Sequence, residues 1–218
     1  MINFERVSKI YQKNWVALDD VTFEIQKGEF VFLTGPTGAG KSTVLKLIYK
    51  EEEPTKGTIK VMNYHLRHLK KNEIPQLRRK IGVIFQDFKL LHDRTVEENI
   101  AFALEVTDTP PRDIKKRVLD VLTYLRLSHK KFKFPYQLSG GEQQKVSIAR
   151  ALVRDPYILL ADEPTGNLDI KSSQEILDIL LDINYQGTTI LMASHNLLLV
   201  RKAKKRIISL LNGRIVQE

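Results

Sequence analysis

Eight consecutive residues, Gly35, Pro36, Thr37, Gly38, Ala39, Gly40, Lys41 and Ser42, have the spacing G-x-x-x-x-G-K-S. Glycine at both ends lets successive backbone N–H groups turn inward around an oligophosphate without side-chain clash. Lys41 is then placed to reach β- and γ-phosphates as a point charge, and Ser42 to offer its hydroxyl to Mg²⁺. Thr43 opens a helix whose N-terminal dipole faces the anion. A second candidate pair, Asp162 and Glu163, closes the apolar run LLA at 159–161. Two adjacent acids at a strand end can divide the labour of phosphoryl chemistry. Asp162 would hold Mg²⁺ directly or through water, while Glu163 orients and deprotonates the water attacking the γ-phosphate. A glycine-rich turn and a solvated acidic strand end are the plainer readings, and the presence of both motifs in one chain argues against them.

Ser139, Gly140, Gly141 and Glu142, within LSGGEQQ at 138–144, admit two readings. Ser139 and Glu142 match a capping box, in which each bonds to the other's backbone N–H. Local capping explains the serine and the glutamate but not two successive glycines, which weaken a helix start unless something approaches the backbone closely. A helix N-terminus with bare amides and a hydroxyl is also an anion site, and the γ-phosphate of ATP is the natural anion. Both readings stand at this level.

The elements around these residues must present them together. EFVFLT at 29–34 reads as a buried strand and VLKLIYK at 44–50 as a helix, so the glycine loop lies between strand and helix. Upstream, INFERVSKIYQ and VTFEIQKGEF alternate apolar and polar residues as half-exposed strands do, and TIKVM at 58–62 follows the turn PTKG. IGVIFQ at 81–86 is an apolar strand whose last residue, Gln86, emerges at the carboxyl edge of the sheet, where open α/β sheets bind ligands. Helical periods then dominate in TVEENIAFALEV and RDIKKRVLDVLTYL, separated by a DTPPRD turn at 108–113, which predicts an inserted helical lobe. A helix from 139, a strand YILLAD at 157–162, the helix QEILDILLDI and the strand TTILMAS at 188–194 follow. The chain finishes in a hairpin through Asn212-Gly213, a pair suited to a type I′ turn.

At 218 residues and 42% hydrophobic composition, the chain can bury a full core as one large domain, with or without an inserted lobe. No apolar run approaches bilayer-spanning length, and MINFERVSKI has no signal-peptide core, which predicts a cytoplasmic protein. The absence of cysteine suits a reducing compartment and excludes disulfides and thiolate metal sites. A formal net charge of +9 is concentrated at 67–80, 112–133 and 201–206. Those clusters suit an anionic surface, lipid or nucleic acid, and equally suit solvated helix faces.

With these motifs in this order, the sequence resembles the ATP-binding cassette family over nearly its whole length. The resemblance implies a P-loop NTPase α/β fold: a mixed sheet core with an antiparallel β subdomain (1–86 and 138–218) and an inserted helical subdomain (87–137). It implies a Mg²⁺-dependent ATPase that works as a head-to-tail dimer with a second copy of itself. Ser139, Gly140, Gly141 and Glu142 of one subunit would complete the site begun by residues 35–43 of the other. Carried over by position, Tyr11 would stack on adenine, Gln86 would touch Mg²⁺ and sense a membrane partner, and His195 would hold the γ-phosphate and attacking water. Asp169, in GNLD, would cross the dimer interface. Thr37, Ser194 and Asn196 depart from the family's usual residues, Asn196 standing after His195 where an acid is common, and none removes a catalytic group. The stretches LRRKIGVIFQDFKLLHDRTVEENI, QLSGGEQQKVSIARAL and LLADEPTGNLD look most like the family's bacterial cell-division members. This implies an integral membrane partner, with the ATPase held at the inner face of the membrane. Lipoprotein-release and macrolide-export subunits share the last motif. A nucleic-acid-associated member is disfavoured, because such relatives carry long coiled-coil insertions or two cassettes.

Overall fold

The protein is described by a computed structural model covering residues 1–107 and 109–217, with Lys13 described by its backbone only. In chain order the elements are β1 (Ile2–Tyr11), β2 (Trp15–Ile25), β3 (Phe30–Thr34), α1 (Lys41–Ile48), β4 (Lys56–Val61), β5 (Tyr64–His65), α2 (Ile74–Arg79) and β6 (Ile81–Ile84). Then come α3 (Val96–Glu105), α4 (Pro111–Tyr124), α5 (Gly140–Leu152), β7 (Ile158–Asp162), α6 (Ile170–Tyr185), β8 (Thr189–Ser194), α7 (Leu197–Ala203), β9 (Arg206–Leu211) and β10 (Arg214–Gln217). The turn expected at 108–113 begins at Asp108, outside the described residues, and Pro111 opens α4, where a missing N–H costs nothing.

Two sheets form. β1, β2, β4 and β5 make an antiparallel sheet, while the second sheet has the order β10-β9-β3-β8-β7-β6. Its strands β9, β3, β8, β7 and β6 are parallel, and β10 pairs antiparallel at the edge. Every residue of β3 and β8 is buried, as expected of strands covered on both faces. Their period-two alternation divides the interior into two cores. Phe30, Phe32, Ile190, Met192, Leu159 and Ala161 face a core built with α3 to α6. Val31, Leu33, Leu191, Ala193, Ile158 and Leu160 face a second core that also holds α1 and the antiparallel sheet. Both layers are therefore locked to the same strands, and α1, which opens at Lys41, is fixed between two sheets.

α3 begins with a full capping box between Thr95 and Glu98, and α4 packs on it and on α5. The closing hairpin has Asn212 at φ 49° and Gly213 at φ 77°, both in the left-handed region, as a type I′ turn demands. Strand β6 ends at Ile84, two residues before Gln86, so Gln86 stands in the connection beyond the strand. Among the described residues no helix is long and apolar enough to cross a membrane.

Candidate active site

The strand order brings the candidate residues together. β3, β8, β7 and β6 are adjacent and parallel, with Thr34 opposite Ser194, Asp162 opposite Ala193 and Ile84 opposite Ala161. Their carboxyl tips therefore align, and the glycine loop, His195, Asp162-Glu163 and Gln86 leave those tips side by side. A cavity of about 420 Å³ opens there, lined among others by Thr37, Lys41, Ser42, Gln86, Asp162 and His195. Its size is that of a small-molecule site. A cavity of about 480 Å³ among Arg117, Tyr124 and Asp155 includes Tyr157 and Thr188, which precede β7 and β8. It therefore opens at the opposite end of the sheet, away from the phosphate-handling residues.

Glycine is needed in the loop for two reasons. Gly35 and Gly40 have φ of 146° and 104°, and a Cβ would lie 2.2 Å from the Leu210 carbonyl oxygen and 2.5 Å from that of Ala17. The loop is thus wedged against β9 and β2. Lys41 is 7% exposed and donates to the carbonyls of Gly35 at 2.8 Å and Pro36 at 3.2 Å. Its ammonium also lies 3.4 Å from Glu163 Oε1.

Glu163 is the hub of the site. Its φ of 47° is unusual for a side-chain-bearing residue and costs about 1–3 kcal/mol, a strain characteristic of functional positions. The turn is held by Glu163 N–H donating to Ala193 O and by Gly166 N–H donating to Glu163 O. Oε1 faces Lys41, while Oε2 accepts from the His195 N–H at 3.2 Å and lies 2.8 Å from His195 Nδ1. With Nδ1 donating to the carboxylate, Nε2 is the ring nitrogen left for a substrate. Beside it, Ser42 Oγ donates to Asp162 Oδ1 at 3.1 Å. Burial raises the pKa of Asp162, the Ser42 hydrogen bond opposing and the Glu163 charge adding to that shift. A hydroxyl and a desolvated carboxylate side by side are hard oxygen donors of the kind Mg²⁺ accepts, and Gln86 lines the same cavity.

The remaining expected residues are placed differently. Ser139 and Glu142 form a complete capping box at the start of α5, Ser139 N–H donating to Glu142 Oε2 at 2.9 Å. The glycines between them have a packing reason within the chain. A Cβ on Gly141 would lie 3.0 Å from Ser172 Oγ, and one on Gly140 would lie 3.3 Å from Leu168 Cδ2. Close approach to these glycines is therefore met within the chain by the start of α6. Ser139 lines none of the phosphate-loop cavity. Asp169 caps α6, accepting from Ser172 N–H at 2.9 Å and Ser172 Oγ at 2.7 Å, and these bonds hold its carboxyl below the usual range. Tyr11 stacks on Trp15 with centroids 5.1 Å apart and does not line the cavity, whereas Trp15 does. Nothing in the alternation of β2 separates Trp15 from an ordinary strand-edge aromatic.

Two further positioning groups escape a sequence reading. Arg150, largely buried on α5, donates to the carbonyls of Phe88 and Lys89, and burial lowers its pKa. Asn99, fully buried on α3, donates to the carbonyls of Leu91, Arg94 and Thr95 and accepts from Leu91 N–H. Together they fix the loop that follows Gln86, and Asn167 donates to the Gln86 carbonyl at 3.2 Å. An arginine and an asparagine inside amphipathic helices have no local signature.

Asn196 caps α7, its Oδ1 accepting from Leu199 N–H at 3.1 Å. Aspartate caps as well as asparagine, so Asn196→Asp should leave the melting midpoint nearly unchanged. The added carboxylate next to His195 favours the imidazolium, and we expect a measurably faster steady-state ATPase. Unchanged or slower turnover would separate this position from the histidine's work.

The arrangement defines a class before any particular relative. The chain belongs to the ABC transporter family, whose model matches residues 18–166, from within β2 through the loop to just past Glu163. It is an ABC-type ATPase subunit with the nucleotide-binding fold of that family. Among named relatives it is 53% identical to the cell division ATP-binding protein FtsE of Bacillus subtilis, over all of this chain and 96% of that one. It is 49% identical to FtsE of Escherichia coli K12, over 99% of this chain and 97% of the relative. A dimeric ATP-binding cassette solved in a post-hydrolysis state with ADP and Pi superposes with a TM-score of 0.90 at 36% identity, covering 100% and 97% of the two chains. The cbiO1 subunit of the Clostridium perfringens cbiONQ transporter complex superposes with a TM-score of 0.91 at 29% identity, covering 99% and 86%.

Proposed function

We propose that this chain is the ATPase of a bacterial cell-division complex of the FtsE type, hydrolysing ATP with Mg²⁺ as a head-to-tail dimer. The observation that carries the catalytic part is Glu163 held between Lys41 and His195 at the mouth of the glycine loop. Amides of residues 35–43 cradle the phosphates. An incoming γ-phosphate gives Lys41 a stronger partner than Glu163, and the freed carboxylate takes the proton of the attacking water. His195 orients that water and the γ-phosphate. Ser42, Asp162 and Gln86 hold Mg²⁺, which when bound neutralises charge on the β- and γ-phosphates.

The trans arrangement is supported by the position of Ser139 outside the chain's own phosphate-loop cavity, and by the dimeric relative with ADP and Pi. In this reading Ser139, Gly140, Gly141 and Glu142 face the partner's nucleotide, and Asp169 lies at the seam. Residues 1–86 and 138–218 form the ATP-binding core, and 87–137 the helical lobe that docks an integral membrane protein. The resemblance to FtsE makes FtsX that protein, with the ATPase peripheral on the inner face of the membrane and shape changes passed across it to peptidoglycan hydrolases. The basic clusters would then face anionic headgroups.

The test is affinity purification of the tagged chain from detergent-solubilised membranes. FtsX should co-purify in stoichiometric amount. Recovery of a lipoprotein-release or macrolide-export permease instead would make this a transport ATPase. Nucleic acid bound in a strongly salt-dependent way and raising ATPase activity would overturn both readings.

A further inference from the structure

Trp15 is the only tryptophan in the chain and is 57% exposed, an unusual state for so large an apolar ring. It lies on the wall of the cavity that contains Thr37, Gly38, Gly40 and Lys41. Tyr11 is its cross-strand partner in the β1–β2 register, and the two rings stack at 22° with centroids 5.1 Å apart. The ammonium of Lys9 lies over the Tyr11 ring at 4.7 Å. Tyr11 is therefore engaged by an indole and an ammonium, and it is Trp15 that meets the cavity.

We propose that Trp15 is the ring on which the nucleotide base stacks, with Tyr11 as the backing ring that holds the indole in place. The proposal rests on the nucleotide-binding reading above and revises the role expected of Tyr11. An indole offers a broader π face than a phenol, and the Tyr11–Trp15 pair is pre-stacked, so little rotamer freedom is lost on binding. Base stacking on an aromatic ring is tolerant of base identity, because every base has a π face. The ring therefore sets the affinity for the base more than the choice between ATP and GTP.

A single tryptophan makes the test direct. ADP is titrated into the purified chain while Trp15 emission and calorimetric heat are followed together, with inorganic triphosphate as the base-free control. ADP should quench the emission with the same midpoint as the heat, and triphosphate should leave it unchanged. Trp15→Ala should weaken ADP binding about tenfold, and Trp15→Phe should restore most of it. Tyr11→Leu should cost less than Trp15→Ala. Calorimetric binding of ADP without a change in emission, or a larger loss in Tyr11→Leu, overturns the proposal and leaves the nucleotide site intact. Absence of any ADP binding to the folded chain would instead defeat the nucleotide-binding reading itself. Trp15 is exposed, so its truncation should leave the melting midpoint nearly unchanged, and a large fall would show a structural ring only.

Discussion

Glu163→Gln should lower ATP turnover by about 10²- to 10⁴-fold while leaving ATP binding intact, because it removes the one group positioned to take the proton of the attacking water. The amide keeps the carboxylate's shape, so contacts to the His195 N–H and the hydrogen-bonded turn at Ala193 and Gly166 should survive. What is lost is the negative charge 3.4 Å from Lys41. In the wild type that charge competes with the γ-phosphate for the same ammonium, so affinity for ATP should stay level or tighten. Binding without hydrolysis should then accumulate an ATP-dependent dimer, visible by light scattering as a doubling of mass that ADP does not produce. Wild-type turnover in this variant would remove Glu163 from the role of base. Asp162, the adjacent acid, is committed to Ser42 and would not be an equivalent substitute.

Ser139→Arg should abolish ATPase activity while leaving the isolated chain's affinity for nucleotide within about twofold, a split that a single-chain site would not show. Ser139 lies outside the cavity that holds the phosphate loop, so an arginine there obstructs a neighbour's nucleotide and not the chain's own. The structure adds a complication, because Ser139 also caps α5. Loss of the cap costs about 1 kcal/mol, so Ser139→Ala serves as the comparison that removes the cap without the bulk. Mixing Ser139→Arg with Lys41→Ala chains separates the two effects. Each variant is inactive alone, yet a mixed dimer pairs an intact loop from one chain with an intact Ser139 from the other, and partial activity should return. Turnover by monomeric Ser139→Arg chains, or no recovery on mixing, would sink the head-to-tail dimer.

Much of the chemistry was legible before any fold was known, since each motif is short and carries its own local geometry. G-x-x-x-x-G-K-S between a strand and a helix, an acid pair closing an apolar strand, and an Asn-Gly hairpin depend on neighbours a few residues away. All appear where expected, with strand and helix limits shifted by one to three residues because end residues answer to pairing and caps more than to hydrophobic period. The double glycine at 140–141 was different. Read locally, it pointed to an approach from outside the chain, whereas Ser172 and Leu168, about thirty residues on, already make that approach from within. The Tyr11–Trp15 stack, the Arg150 clamp and the Asn99 network were likewise invisible. Each joins a helix face or strand edge to backbone or rings that only folding brings near.

The residues alone therefore determined the kind of reaction, because phosphate binding and base catalysis are written in contiguous stretches whose backbone conformation is set by glycine, strand and helix preferences. Only the tertiary structure decided how those stretches meet. The strand order β3-β8-β7-β6 places segments from residues 35, 86, 162 and 195 at one sheet edge, and non-local pairing of that kind has no local sequence signature. The same packing puts Glu163 between Lys41 and His195, and Trp15 in place of Tyr11 on the cavity wall.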